Sequence, residues 1–490
     1  MPSSAPAIAT PEEIGKYEPV IGLEVHVQLN TRTKIFCGCP TGFGAPPNSN
    51  VCPVCLGLPG ALPVLNRRVV DMAIQAALAT HCKVNAFSRF ARKNYFYPDL
   101  PKGYQISQYD QPLAEHGWLD ATVDGAKKRI GITRIHLEDD AGKSIHDGFK
   151  DSERYTYVDL NRSGTPLIEI VSDPDLRSSD EAYAYLTELK QIMQYVGVSE
   201  CDMEKGQLRC DANVSVRLKG VEKFGTKAEV KNLNSFRFAK MALDYEIARQ
   251  VAVIESGGRV EQESRLYNAA TGETVSMRSK EDAHDYRYFP EPDLVPLRVS
   301  DAWLEQIRST VPELPADKRN RFIDRYGLRE YDAQVLTASS AIAEYFEKTA
   351  KAAGDPRTAA NWVTGDLLGA LKGIEIAESP VSPQQLGELV GFIVKSEISG
   401  KMAKDIFAKM FETGESAAVI IDREGLRQIS DTGALEKIVD EVIAASPKQV
   451  EQYKSGKTGV IGFLVGQVMK LSKGQANPAA VNELLKARLQ

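Results

Sequence analysis

Four cysteines have spacing that could do chemistry. Cys37-Gly-Cys39 and Cys52-Pro-Val-Cys55 form a C-x-C-x12-C-x2-C pattern in a stretch rich in Gly and Pro. Two tight thiol pairs on turns can converge tetrahedrally on zinc at about 2.3 Å. Four soft sulfur ligands leave no open position, so such a metal is structural. The alternatives are four unrelated thiols or a redox pair; the paired spacing favours zinc. Cys82, Cys201 and Cys210 lack that spacing and read as small buried residues.

A second set is rich in carboxylates. In Ile21-Gly-Leu-Glu-Val-His-Val-Gln-Leu29 the odd positions are large and apolar. Period-two alternation then places Glu24, His26 and Gln28 on one strand face. In residues 208–218 the even positions are apolar, and Arg209, Asp211, Asn213, Ser215 and Arg217 share the other face. Glu138, Asp139 and Asp140 close a strand that begins near Ile132; Glu169 lies in residues 165–171 and Glu204 in residues 202–206. Mg²⁺ takes oxygen ligands and bridges carboxylates to substrate phosphates, provided that the strands are neighbours. Taken singly, each acid reads as a surface charge or an ion-pair partner.

Known nucleotide loops are missing. Gly142-Lys143-Ser144 imitates the end of a phosphate loop, but Leu137 stands where its first Gly is required. No G-x-G-x-x-G follows a strand, which argues against a dinucleotide fold.

Aromatic and basic residues mix in residues 92–105 and 285–293. Such loops can stack unpaired bases and hold phosphates. The alternative, favoured for the second loop, is a Pro-stiffened loop pinned by aromatics. From Glu441 onward seven Lys and Arg stand against three Glu. Lys454, Lys457, Lys470 and Lys473, with Gln475, lie beside flexible Gly and suit an RNA backbone. A solvated helix face is the alternative.

The elements that position these residues follow from length and texture. A chain of 490 residues holds two to four domains. With 43% hydrophobic and 26% charged residues it is globular, neither disordered nor membrane-spanning. The apolar stretch 458–469 is too short for a bilayer, which needs about 20 residues. A net charge of −6 excludes a generic polyanion binder, so basic charge must act locally. Seven cysteines, sparse and odd in number, argue against a disulfide framework. The start lacks a signal peptide's basic and apolar regions. A cytoplasmic location is expected. The expected architecture is α+β. Residues 1–16 form a loose arm. Residues 17–295 form a β-rich domain with mainly antiparallel sheet and the cysteine knuckle. Residues 296–412 form an all-helical domain, and residues 413–490 a small helical tail.

Several long strings resemble the GatB family, the B subunits of the tRNA-dependent amidotransferase. They include residues 21–29, Arg92-Lys-Asn-Tyr-Phe-Tyr-Pro-Asp99, Asp159-Leu-Asn-Arg-Ser-Gly-Thr-Pro-Leu-Ile-Glu169, Leu208-Arg-Cys-Asp-Ala-Asn-Val214 and Lys231-Asn-Leu-Asn-Ser-Phe236. The likeness runs from Tyr17 to Gln490. It implies a cradle domain that phosphorylates a misacylated side-chain carboxylate with ATP and transfers ammonia to it. The substrates would be Glu on tRNA(Gln), Asp on tRNA(Asn), or both. It also implies Mg²⁺ or Mn²⁺ held by Glu24, His26, Asp139, Glu169 and Asp211, with Lys93 as a pocket base. Glu138, Glu204 and Arg209 would contact the nucleotide, and structural zinc would sit on the cysteines. Implied partners are an amidase subunit that frees ammonia from glutamine, a small third subunit that completes a heterotrimer, and tRNA at the tail. The chain carries no amidase or glutaminase signature of its own. The competing readings are a zinc-stabilised tRNA-binding scaffold without catalysis, and a carboxylate–ammonia ligase acting on a free small molecule.

Overall fold

The computed structural model describes residues 8–277, 286–426, 432–472 and 475–489. Two compact units divide between Leu314 and Pro315.

The first unit is built on a twelve-stranded sheet. Strand Tyr17–Gln28 pairs antiparallel with Leu208–Leu218 on one side and with Pro166–Ser172 on the other. Pro166–Ser172 in turn pairs antiparallel with Ala126–Asp139. Strands Tyr104–Gln108 and Phe90–Asn94 extend that side of the sheet, and Ala228–Lys231 extends the other beyond Leu208–Leu218. One parallel pairing, between Ala228–Lys231 and Ser264–Asn268, makes the sheet mainly rather than wholly antiparallel.

Alternation decides the two faces. Ile21, Leu23, Val25 and Val27 are at most 1% exposed, and they join one hydrophobic cluster with the buried sides of helices Arg67–Ala79, Ser179–Tyr195 and Phe236–Glu255. With helices covering that face, the opposite face is left to the polar residues. Ser178 and Ser235 cap the two longest of these helices by accepting hydrogen bonds from the third helical N–H.

Three expected boundaries shift. Residues 9–16 are no loose arm. Thr10 forms a capping box with Glu13, the Ala9 N–H donates to the Ala248 carbonyl, and Lys16 pairs with Glu255 at 3.1 Å. Helix Asp301–Arg308 belongs to the sheet unit, because the Trp303 indole N–H donates to Asp71 at 2.8 Å. The sheet unit therefore outruns residue 295.

The second unit is helical and holds two separate hydrophobic clusters, one from Phe322 to Ile421 and one from Leu435 to Leu489. Helix Ala417–Glu424 buries Ala417, Ile420 and Ile421 in the former, so the division falls after residue 412.

Candidate active site

Register brings the sheet's polar residues into a row. His26 faces Glu169 across one strand pair, and Glu169 faces His136 across the next. Arg209 faces His26 from the other side. Glu138 lies two residues beyond His136 on the same face.

The four central groups touch. His26 Nε2 is 3.3 Å from Glu138 Oε1 and 3.5 Å from Glu169 Oε2. His136 Nε2 is 3.0 Å from Glu169 Oε2 and 3.8 Å from Glu138 Oε2. Burial opposes a charge on His26, but hydrogen bonds to Glu138 and Glu169 outweigh it and push the imidazole up to about 10. Burial likewise opposes the Glu138 carboxylate, and the two histidines pull it down to about 2. Glu169 is held well below the usual range against burial, chiefly by His136. Two buried carboxylates thus persist as anions because cationic rings face them.

That arrangement fits a divalent cation. One ligand atom each from His26, Glu138 and Glu169 lie within 4.8 Å of one another. A ring nitrogen between two carboxylate oxygens is a donor set for Mg²⁺ or Mn²⁺ that leaves positions for water and phosphate.

Other expected residues lie nearby with other partners. Glu24 shares the face of His26, accepts a hydrogen bond from Asn213 at 3.0 Å, and is raised by burial and by Glu169. Asp211 faces Glu24 in register and pairs with Lys231 at 3.4 Å. Lys93 faces Gln105 across its strand pair, with its ammonium 4.8 Å from the centre of the Tyr286 ring. Arg209 donates to Asp140 at 2.8 Å, and its buried Nε has no hydrogen-bond partner among the described residues.

Two expected residues stand apart. Asp139 is one residue past Glu138 and so points to the opposite face. There it pairs with Lys102, accepts the Ile106 N–H at 2.8 Å, and lines a cavity with Phe36, Cys55 and Tyr104. Burial keeps its carboxyl above the usual range despite Lys102. Glu204 is an exposed turn residue whose N–H donates to Asp202 at 2.9 Å. His136 is absent from the expected set. Its signal is present in the chain: Ile135 and Leu137 alternate with Arg134, His136 and Glu138.

The four cysteines converge as their spacing predicts, with one sulfur from each within 4.8 Å of the others. A hydrogen bond from Cys37, helped by the Lys34 charge, draws the Cys55 thiol down to about 4 against burial. Burial pushes Cys39 up to about 11. Four convergent thiols with one already acidified suit a thiophilic metal.

In the tail, Lys454, Lys457 and Lys470 are exposed. Gln475 Nε2 donates to the Gly425 carbonyl at 2.7 Å, an internal tie. Lys473 and Asp285 lie outside the described residues.

Fold and site together define an α+β class of protein: a mainly antiparallel sheet whose polar floor carries a cluster that could hold a cation, followed in the chain by helical domains. Residues 19–305 match the family described as the GatB/GatE catalytic domain, and residues 344–489 match the GatB domain. The chain is 58% identical over 476 residues to the B subunit of aspartyl/glutamyl-tRNA(Asn/Gln) amidotransferase from Carboxydothermus hydrogenoformans, covering 97% of this chain and 99% of that one. It is 58% identical to the same protein of Geotalea daltonii, over 97% and 100% of the two chains. For that of Syntrophotalea carbinolica the identity is 59%, over 97% and 99%. The chain belongs to the GatB family of tRNA-dependent amidotransferase subunits.

Proposed function

We propose that this chain amidates Glu misacylated on tRNA(Gln), Asp misacylated on tRNA(Asn), or both, at the polar face of its sheet. The observation that carries the reading is the row His26–Glu169–His136 with Glu138 beside it. The side-chain carboxylate of the aminoacyl group attacks the γ-phosphorus of ATP, and ADP leaves. Ammonia then attacks the acyl carbon, loses a proton, and expels phosphate to give the amide. A carboxylate expels oxide poorly; its phosphorylated form expels phosphate readily.

His26, Glu138 and Glu169 would hold Mg²⁺ or Mn²⁺, which neutralises phosphate charge and aligns the in-line transfer. The chain's own groups do the rest. Arg209 Nε has no acceptor among the described residues, and a phosphate oxygen would supply one. Lys93 adds positive charge to the same face from strand Phe90–Asn94. Glu24, held above the usual carboxylate range, is placed to take the proton that ammonia gives up.

The cysteine knuckle holds zinc and keeps a structural role. The ammonia comes from glutamine through an amidase partner, and a small third subunit completes the assembly. The exposed tail lysines meet tRNA. A cytoplasmic location belongs to the same reading. No helix among the described residues is long and apolar enough to cross a membrane.

The test is amidation by the purified complex with ATP, Mg²⁺ and ammonium but no glutamine, on Glu-tRNA(Gln) and separately on Asp-tRNA(Asn). Product on either tRNA, lost in Glu169→Gln, supports the reading. Intact tRNA binding without product on either would leave a tRNA-binding scaffold.

A further inference from the structure

Lys34 is 0% exposed, and among the described residues no carboxylate pairs with it. Its ammonium donates to the Asn50 carbonyl at 2.7 Å, two residues before Cys52. Its own N–H donates to the Cys39 carbonyl at 3.0 Å. The stem runs beside Cys55. Gly164 sits between the two at φ +83°, where an added Cβ would lie 3.4 Å from the Cys55 Cβ and 3.5 Å from the Lys34 Cδ. Lys34 is thus clamped to both halves of the knuckle.

A buried ammonium without a neighbouring anion is strongly disfavoured, and a carbonyl offsets only part of the lost hydration. Four thiolates around Zn²⁺ carry a net charge of −2, equally disfavoured in a dry site. Each group answers the other's need.

The geometry points to Lys34 as the fixed counter-charge of the four-cysteine metal centre. This rests on the reading that the knuckle binds zinc. Lys34 contributes no ligand. Its positive charge lowers the cost of burying the dianionic centre, and its bond to the Asn50 carbonyl ties the Cys52–Cys55 turn to the Cys37–Cys39 turn. The sign of its effect must therefore depend on the metal. With zinc bound, the charge stabilises. With the thiolates gone, the same buried charge is a liability.

The test uses the full chain, zinc alone as the probe, and two backgrounds. In the wild-type background, competition with a chromophoric chelator should show zinc held at least tenfold less tightly by Lys34→Met, and near wild type by Lys34→Arg. In a background with all four cysteines changed to Ser, Lys34→Met should raise the melting temperature. In the zinc-loaded wild type it should lower it. Equal zinc retention in Lys34→Met, or a melting-temperature shift of the same sign in both backgrounds, overturns the counter-charge. A wild-type chain that binds no zinc overturns the reading of the knuckle itself, an outcome separable from the other two. Where Lys34→Met fails to fold with the cysteines present, recovery of folding in the Ser background still supports the proposal, and failure there as well overturns it.

Discussion

His136 Nε2 lies 3.0 Å from Glu169 Oε2, at the register position where two neighbouring strands bring these residues face to face. His26 approaches the same carboxylate from the strand on the other side. Glu169 therefore sits between two imidazoles, the partly exposed His26, which would be a ligand in the proposed cation site, and the buried His136. A hydrogen bond to a ligating carboxylate fixes its orientation, and loss of such a support typically costs roughly 10- to 100-fold in metal affinity. His136→Asn should weaken Mn²⁺ binding by that margin, read from the free-Mn²⁺ resonance signal, while tRNA affinity stays unchanged. Undiminished Mn²⁺ binding would remove His136 from the site.

The same cluster sets a pH dependence. Without metal, His26 holds a proton up to about pH 10, well above its ordinary value of 6.5. A cation must displace that proton, so apparent affinity should rise with pH from 6.5 toward 10. Stability of the metal-free chain should move the opposite way. The His26 contribution is complete below pH 6.5 and is lost as pH climbs through about 10. The Glu138 contribution is complete above 4.5 and is lost as pH falls through about 2. Metal-free melting temperature should thus peak between 4.5 and 6.5 for this cluster, and His26→Asn should flatten the alkaline limb. A limb of the same steepness in that variant would show that other groups set it.

Much of this site was legible in strands with strict alternation. Residues 21–29 and 208–218 have one apolar face each, and Glu24, His26, Arg209 and Asp211 share the polar floor. The strand Ala126–Asp139 was harder because both its faces are buried toward its end, where His136, Leu137, Glu138 and Asp139 are all at most 4% exposed. Acidic character alone could not distinguish Glu138 from Asp139; the parity set by Ile135 and Leu137 could. Neighbour relations were illegible. Nothing local says that residues 17–28 pair with both 208–218 and 166–172, since those pairings close loops of more than a hundred residues. Helix Asp301–Arg308 misled for a related reason. Its periodicity is helical, but Trp303 anchors it to the sheet unit through Asp71.

Asp211 tests the floor beyond the cation cluster. It faces Glu24 in register, and Lys231 bridges it to Glu229 at 3.4 and 3.0 Å. Asp211→Asn keeps the shape and removes the charge that holds Lys231. A fixed charge aimed at a reacting group is worth roughly 100-fold in rate. Amidation should fall by at least that factor with tRNA binding intact. Activity within a fewfold of wild type would make the Asp211–Lys231 pair part of the fold alone.

The tail lysines make a separate claim, tested by salt. Lys454 and Lys457 flank the turn after helix Pro447–Lys454, and Lys470 lies in the last turn of helix Ile461–Leu471. All three are exposed, and among the described residues none pairs with an acid. Neutralising a lysine that meets phosphate reduces the slope of log affinity against log salt by about 1. The triple change to Gln should therefore weaken tRNA binding at low salt and flatten that slope by about 3, leaving the amidation rate at saturating tRNA unchanged. Gln475 should behave differently. It bonds to the Gly425 carbonyl, so Gln475→Ala should lower thermal stability with the salt slope intact. An unaltered slope in the triple variant would return these lysines to an ordinary solvated helix face.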